Sequence, residues 1–158
     1  MYNIVPHDPE NGTFGDCHRN CIAMLLGMDQ NDVPHFYNDD NPEGKRDIER
    51  FLASKGFAYG DCIYDADSLT LDQILDYTSR MMTNIPLILG GESRKGINHS
   101  VVVLNGKIWC DPSGSGIIGP MISSNPAERY YWITFISPIP DIIVEVEPEP
   151  IERNDNVG

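Results

Sequence analysis

The chain is expected to fold as an α+β domain, and three observations carry that expectation. Helical apolar periodicity dominates the first half of the sequence, strand-like runs dominate the second half, and Asn105-Gly106 sits between two of those runs. Asn-Gly between apolar runs is the strongest two-residue hairpin signal. Helices first and sheet after is the α+β order.

Residues 1–16 read as an extended, turn-rich lead-in, because Pro6, Pro9, Gly12 and Gly15 break any helix. Asp16 is the expected N-cap of a helix over Cys17–Leu26, with Cys21, Met24, Leu25 and Met28 on its apolar side and Gly27 at its end. Residues 29–46 are polar and loop-like. A second helix fits Arg46–Lys55, with Ile48, Phe51 and Leu52 inward and Gly56 as the stop. Phe57–Tyr64 reads as a strand. Ser68 or Thr70 caps a third helix to about Met82, with Leu71, Ile74, Leu75 and Thr78 on one face. Ile85–Leu89 is a short strand closed by Gly90-Gly91, and Gly90 to Gly96 is expected to be a loop bordering His99. The hairpin strands are His99–Leu104 and Lys107–Cys110, and Tyr130–Ile136 completes the sheet. One domain over 1–137 is expected, followed by an acidic, proline-containing tail over 138–158, in which Ile142-Ile143-Val144 offers an edge strand.

With 158 residues and 41% hydrophobic residues, the chain has enough apolar side chains for a sizeable core. Its net charge of −13 argues against nucleic acid or an anionic membrane surface as a partner. The N-terminus has no basic-then-apolar signal pattern, and no apolar run reaches the roughly 20 residues of a membrane span. A cytoplasmic location is therefore expected, with Cys17, Cys21, Cys62 and Cys110 as reduced thiols.

Three stretches carry chemistry. Asn11-Gly12-Thr13-Phe14-Gly15-Asp16-Cys17-His18-Arg19-Asn20-Cys21 places a thiol at a helix start. Asn98-His99-Ser100-Val101-Val102-Val103 opens a strand with an imidazole. Asp111-Pro112-Ser113-Gly114 puts an acid in the turn after the next strand. A helix N-terminus and a nearby imidazolium both favour a thiolate. Cys17 is thus the candidate nucleophile, His99 the base and Asp111 the group that fixes its tautomer. The backbone N–H of Cys17 and the side-chain amide of Asn11 are the candidate oxyanion donors. Alone, each piece has a plainer reading: a structural cysteine, a turn at Asp111-Pro112-Ser113-Gly114, and Asn11 as a turn former near Pro and Gly. Their joint order favours catalysis.

These stretches resemble the C39-like branch of the papain-like cysteine peptidases. That family has an upstream amide, Asp-Cys-Gly-x-x-Cys-Leu-Ala-Met-Leu-Leu, then His-[Phe/Tyr]-Val-Val-Val, a hairpin and Asp-Pro-x-x-Gly. Asp16-Cys17-His18-Arg19-Asn20-Cys21-Ile22-Ala23-Met24-Leu25-Leu26 follows the first block closely. The resemblance implies a papain-like fold, with the cysteine helix packed on an antiparallel sheet that carries the histidine and the acid. It also implies a thiol hydrolase or acyltransferase that uses Cys17, His99 and Asp111 on a peptide or protein substrate. No cofactor or metal is implied. The chain departs from the pattern at His18, where the family has Gly, and at Asn11, where it has Gln. A papain-like shell that binds a partner without turnover is the alternative.

Other readings are weaker. Cys21, one turn after Cys17, is favoured as a core residue over a second nucleophile. A zinc site from Cys17, His18, Cys21, His99 and Cys110 is disfavoured, since paired Cys-x-x-Cys knuckles are lacking. Trp109 and Trp132 are expected in the core or a cleft wall. His7 and His35 are expected at the surface or packed under loops. Gly90-Gly91-Glu92-Ser93-Arg94-Lys95-Gly96 lacks the Gly-Lys-Ser/Thr ending of a phosphate loop.

Overall fold

The structure, a computed structural model, describes residues 15–36 and 43–140. The elements are α1 (Cys17–Leu26), a 3-10 turn (Gln30–Asp32), α2 (Gly44–Ser54), β1 (Phe57–Asp65), α3 (Leu71–Met81), β2 (Leu87–Glu92), β3 (Asn98–Leu104), β4 (Lys107–Cys110) and β5 (Tyr130–Pro138). The five strands form one antiparallel sheet in the order β1-β5-β2-β3-β4. The architecture is α+β, as the sequence pattern predicts.

The sheet is covered on both faces. Cys21, Ile22 and Ala23 of α1 and Ile48 and Leu52 of α2 pack with Ile88 and Val102 on one face. Ile74 of α3 packs with Leu87, Leu89, Val101, Val103 and Ile133 on the other. Alternation along Leu87-Ile88-Leu89 and Val101-Val102-Val103 divides each strand between two cores, which is why both read as unbroken apolar runs. Each Val, Leu or Ile side chain buried this fully stabilises the fold by about 1.5–3 kcal/mol.

Local chemistry accounts for most element ends. Gly27 takes φ 64 at the end of α1, and its N–H reaches back to the helix carbonyls. Thr70 and Gln73 form a reciprocal capping box at the start of α3. Asn105 and Gly106 have φ 49 and 73, the left-handed pair of a tight hairpin turn.

Several expectations need correction. Asp16 holds the N-cap position as expected, and its carbonyl accepts from the Asn20 N–H, but its side chain makes no cap; Oδ1 instead accepts from Asn20 Nδ2 at 3.0 Å, and both residues are buried. The second helix starts at Gly44, two residues before Arg46. β1 and β5 extend to Asp65 and Pro138 because they pair with each other along their full lengths. Trp109 is 61% exposed on the edge strand β4, so it belongs neither to the core nor to a cleft. Gly90-Gly91 does not close β2. Both residues pair with β3, Gly90 with Ser100 and Gly91 with His99. Asn11, His7 and the 142–144 run lie outside the described residues, as does nearly all of the expected tail. Ile139 is described, and its N–H donates to the Gly56 carbonyl at 2.8 Å.

Gly91 is glycine for lack of space: a Cβ there would meet the Gly119 carbonyl oxygen and Ile117 Cγ2, each at 2.6 Å. Backbone cannot give way as a flexible side chain does. Gly91→Ala is therefore expected to cost about 2 kcal/mol, a fall of roughly 4–8 °C in Tm on a thermal melt. Among the described residues no helix is long and apolar enough to cross a membrane.

Candidate active site

The start of α1 is held against β3. Cys21 Sγ donates to the Ser100 carbonyl at 3.4 Å, and Arg19 Nε ties the helix to the Gln30 carbonyl at 2.7 Å. Cys21 itself is wholly buried in the core, and burial pushes its thiol well up, with Cys17, Cys110 and Asp111 adding to the rise. It is a packing residue, as its place on the apolar face predicts. All four cysteines are free thiols.

At the start of β3, His99 is buried, and its Nε2 lies 2.7 Å from Asp111 Oδ1. The hydroxyl of Ser113 is 3.1 Å from the same nitrogen. Asp111 is itself tightly held. Its Oδ1 accepts from the N–H groups of Ser113 and Gly114 at 3.0 and 2.9 Å, and its Oδ2 from the Gly116 N–H at 2.6 Å. Gly114 and Gly116 take φ 67 and 68, which lets the chain wind around the carboxylate. Burial alone would raise Asp111. The bonds from His99 and these N–H groups outweigh it, and the carboxyl lies below its ordinary range. An ionised Asp111 can only accept, so His99 Nε2 carries the proton and donates it in this bond, which leaves Nδ1 as the basic nitrogen of the neutral ring.

Cys17 and His99 line one cavity of about 360 Å³. His18 and Ser100 share its polar side, and Ile88, Gly90, Met121 and Trp132 make most of its apolar wall. Trp132 is thus a cleft-wall aromatic, as expected. A Cβ on Gly90 would meet Met121 Sδ at 3.3 Å and Trp132 Cβ at 3.4 Å, so glycine keeps this part of the wall open.

Burial raises the Cys17 thiol above its ordinary value. Hydrogen bonds from the backbone N–H and hydroxyl of Ser100 and from the His18 N–H pull it back only in part, and the Asp16 charge adds to the rise. The thiol is therefore held in its neutral form at pH 7. His18 also differs from a surface imidazole. Burial pushes it down from 6.5 to about 4, against the pull of the Asp61 carboxylate.

Asp61, which no sequence pattern singled out, lies behind the cleft, bonded to its lining residues Trp132 and Thr134. Its side chain is 7% exposed, and it bonds Lys45 Nζ at 2.9 Å and the Thr134 hydroxyl at 2.8 Å. Trp132 and Tyr59 also donate to it, and together these bonds hold its carboxyl below the usual range despite burial. An acid inside an apolar strand pattern was the available signal. Its partners come from three separate segments, which no local pattern joins.

The depressed His18 has a consequence for stability. A neutral buried imidazole binds fewer protons than the unfolded chain between pH 6.5 and about 4. The stability it contributes is present above 6.5 and lost as pH falls through that window, by up to about 3 kcal/mol. Urea unfolding from pH 7 to 4 is expected to show this slope in the wild type and a flatter one in His18→Gln.

The structure thus brings Cys17, His99 and Asp111 to one end of the sheet, while Asn11 lies outside the described residues. Among the described residues no cluster of three or more His, Cys, Asp or Glu side chains has the geometry to hold a metal ion. Comparison with protein-family models, curated proteins and solved structures finds no match to this chain.

Proposed function

We propose that this chain is a papain-like thiol hydrolase or acyltransferase that acts on a peptide, amide or isopeptide bond through an acyl-enzyme at Cys17. The observation that carries the reading is the 2.7 Å His99–Asp111 pair, whose histidine lines the cavity that Cys17 lines from the start of α1. In this mechanism His99 Nδ1 takes the Cys17 proton as sulfur attacks the carbonyl carbon. The imidazolium, stabilised by Asp111, then protonates the leaving amine. Water, or an acceptor amine, releases the acyl group by the reverse steps. The Cys17 N–H at the helix start is one oxyanion donor and Asn11 is the candidate for the second.

A second reading has its own observation. The Cys17 thiol is raised rather than lowered, and His18 occupies space that glycine would leave open. A binding module with a spent site fits that as well. Limiting iodoacetamide with peptide mass mapping separates the two. Preferential labelling of Cys17 over Cys62, reduced in His99→Ala, supports the enzyme. Equal labelling that His99→Ala does not change refutes it.

A further inference from the structure

We propose that Asn98 is a positioning residue for substrate selection: its side-chain amide pins the segment after β4 so that Met121 stands in the cavity that Cys17 lines and forms an apolar seat there. This rests on the reading of Cys17 as nucleophile, and it names the substrate class. The group taken is an acyl group with an uncharged, apolar side chain next to the reacting carbonyl.

Asn98 opens β3 directly before His99, at the last pair that β3 makes with β2. Two ties hold the chain between β4 and β5 on either side of Met121. On one side the Ile118 N–H donates to the Glu92 carbonyl and the Glu92 N–H to the Gly119 carbonyl, both at 2.8 Å. On the other side a side chain takes the place of a strand. The Ile122 N–H donates to Asn98 Oδ1 at 2.7 Å, and Asn98 Nδ2 donates to the Ile122 carbonyl at 2.9 Å. An asparagine amide offers donor and acceptor in one plane, as a peptide group does, so it can pair with one residue in both directions. The Met121 N–H itself donates to the Tyr130 carbonyl at 2.7 Å.

These ties decide where one side chain stands. Gly90 pairs with Ser100 on β3 and with Trp132 on β5, and all three line the cavity. A Cβ on Gly90 would lie 3.3 Å from Met121 Sδ and 3.4 Å from Trp132 Cβ, so the methionine reaches over the glycine on the side of Trp132. Met121 and Trp132 are both half-buried, which leaves apolar surface for a guest. The lining contains no Asp, Glu, Lys or Arg. A cavity of about 360 Å³ with such a wall suits an apolar group. Methionine is flexible and fills whatever gap its backbone allows, so the backbone tie from Asn98 sets the shape of the seat.

The test compares iodoacetamide with N-benzyliodoacetamide, which share the reacting carbon and the leaving group. They are applied to wild type, Asn98→Ala, Met121→Ala, Met121→Leu, the double variant Asn98→Ala/Met121→Ala, and His99→Ala. Cys17 labelling is read by peptide mapping, with glutathione in the same solution as the measure of each reagent's intrinsic reactivity. After that correction the wild type is expected to favour the benzyl reagent about tenfold, the effect of roughly two buried methylene groups. Met121→Ala and Asn98→Ala should each lose most of this preference, through a higher half-saturating concentration of the benzyl reagent. Met121→Leu has similar volume and should keep it. Because Asn98 acts through Met121, the double variant should match Met121→Ala. Thermal melts confirm that each variant is folded.

Iodoacetamide labelling of wild-type Cys17 that is no faster than that of Cys62, and unchanged in His99→Ala, overturns the nucleophile reading and this inference with it. Preferential, His99-dependent labelling with no benzyl preference, or with one that Met121→Ala keeps, overturns the apolar seat alone. A preference lost in Met121→Ala but kept in a folded Asn98→Ala overturns the role of Asn98. A double variant well below Met121→Ala shows that Asn98 acts by another route, and overturns that role too.

Discussion

Replacing Cys17 by serine is expected to leave the fold in place and reduce turnover of any peptide, amide or ester that the wild type accepts by about 10⁴-fold or more. The substitution is nearly isosteric. The new hydroxyl can keep the bonds to Ser100 that the thiol makes, and the first position of α1 makes no side-chain cap to lose. What is lost is ionisability. A serine hydroxyl is hardly deprotonated at pH 7 and is a far weaker nucleophile than a thiol. Steady-state assay beside circular dichroism and a thermal melt checks both halves. A folded Cys17→Ser that turns over at more than about one hundredth of the wild-type rate would remove Cys17 from the chemistry.

The electrostatics of the resting site set how much His99 must do. Where a thiolate is already present, the base has little left to remove. Here burial keeps the Cys17 thiol protonated, and the opposing bonds from Ser100 and His18 do not reverse that. In the proposed mechanism the proton therefore moves to His99 as the bond forms, which is general-base catalysis worth about 10²–10⁴-fold. The pair His99–Asp111 is built for that burden. The acid is held ionised by three N–H groups, and the histidine presents the same nitrogen to it and to Ser113.

The parts of this arrangement that could be read in the sequence are those that depend on short-range chemistry. The limits of α1 follow from a broken lead-in and Gly27, and the start of α3 follows from Thr70 and Gln73. The β3–β4 hairpin follows from Asn105-Gly106. His99 and Asp111 are twelve residues apart across that hairpin, so their meeting is a consequence of one turn. Elsewhere the deciding contact is remote. Gly90-Gly91 looks like a loop until the Gly119 carbonyl and Met121 are seen against it. Asp16 looks like a cap until Asn20 is seen to take its side chain into the core. Trp109 looks like a core residue because bulk and hydrophobicity do not tell an edge strand from a central one.

Asp111→Asn is expected to lower the rate by about 10²–10⁴-fold, toward the upper end because a protonated resting thiol leaves the work to the histidine. Size alone suggests a harmless change, since asparagine also suits a turn before Pro112. The hydrogen bonds say otherwise. Both carboxylate oxygens accept from backbone N–H groups, Oδ1 from Ser113 and Gly114 and Oδ2 from Gly116. An amide must turn its NH₂ toward one of these donors, so at least one N–H loses its acceptor, at a cost of about 1–3 kcal/mol. A lower Tm is thus part of the expected result, and activity is compared well below the variant's transition. The chemical effect is separate from that cost. Without the anion, the imidazolium loses the partner that stabilises it, and the tautomer with the proton on Nε2 is no longer enforced. Disfavouring the imidazolium disfavours the thiolate that forms with it. The alkylation profile of Cys17 in the folded variant should therefore rise at higher pH than in the wild type. A variant with a lowered Tm but a superimposable profile would show that Asp111 holds the loop and takes no part in the chemistry.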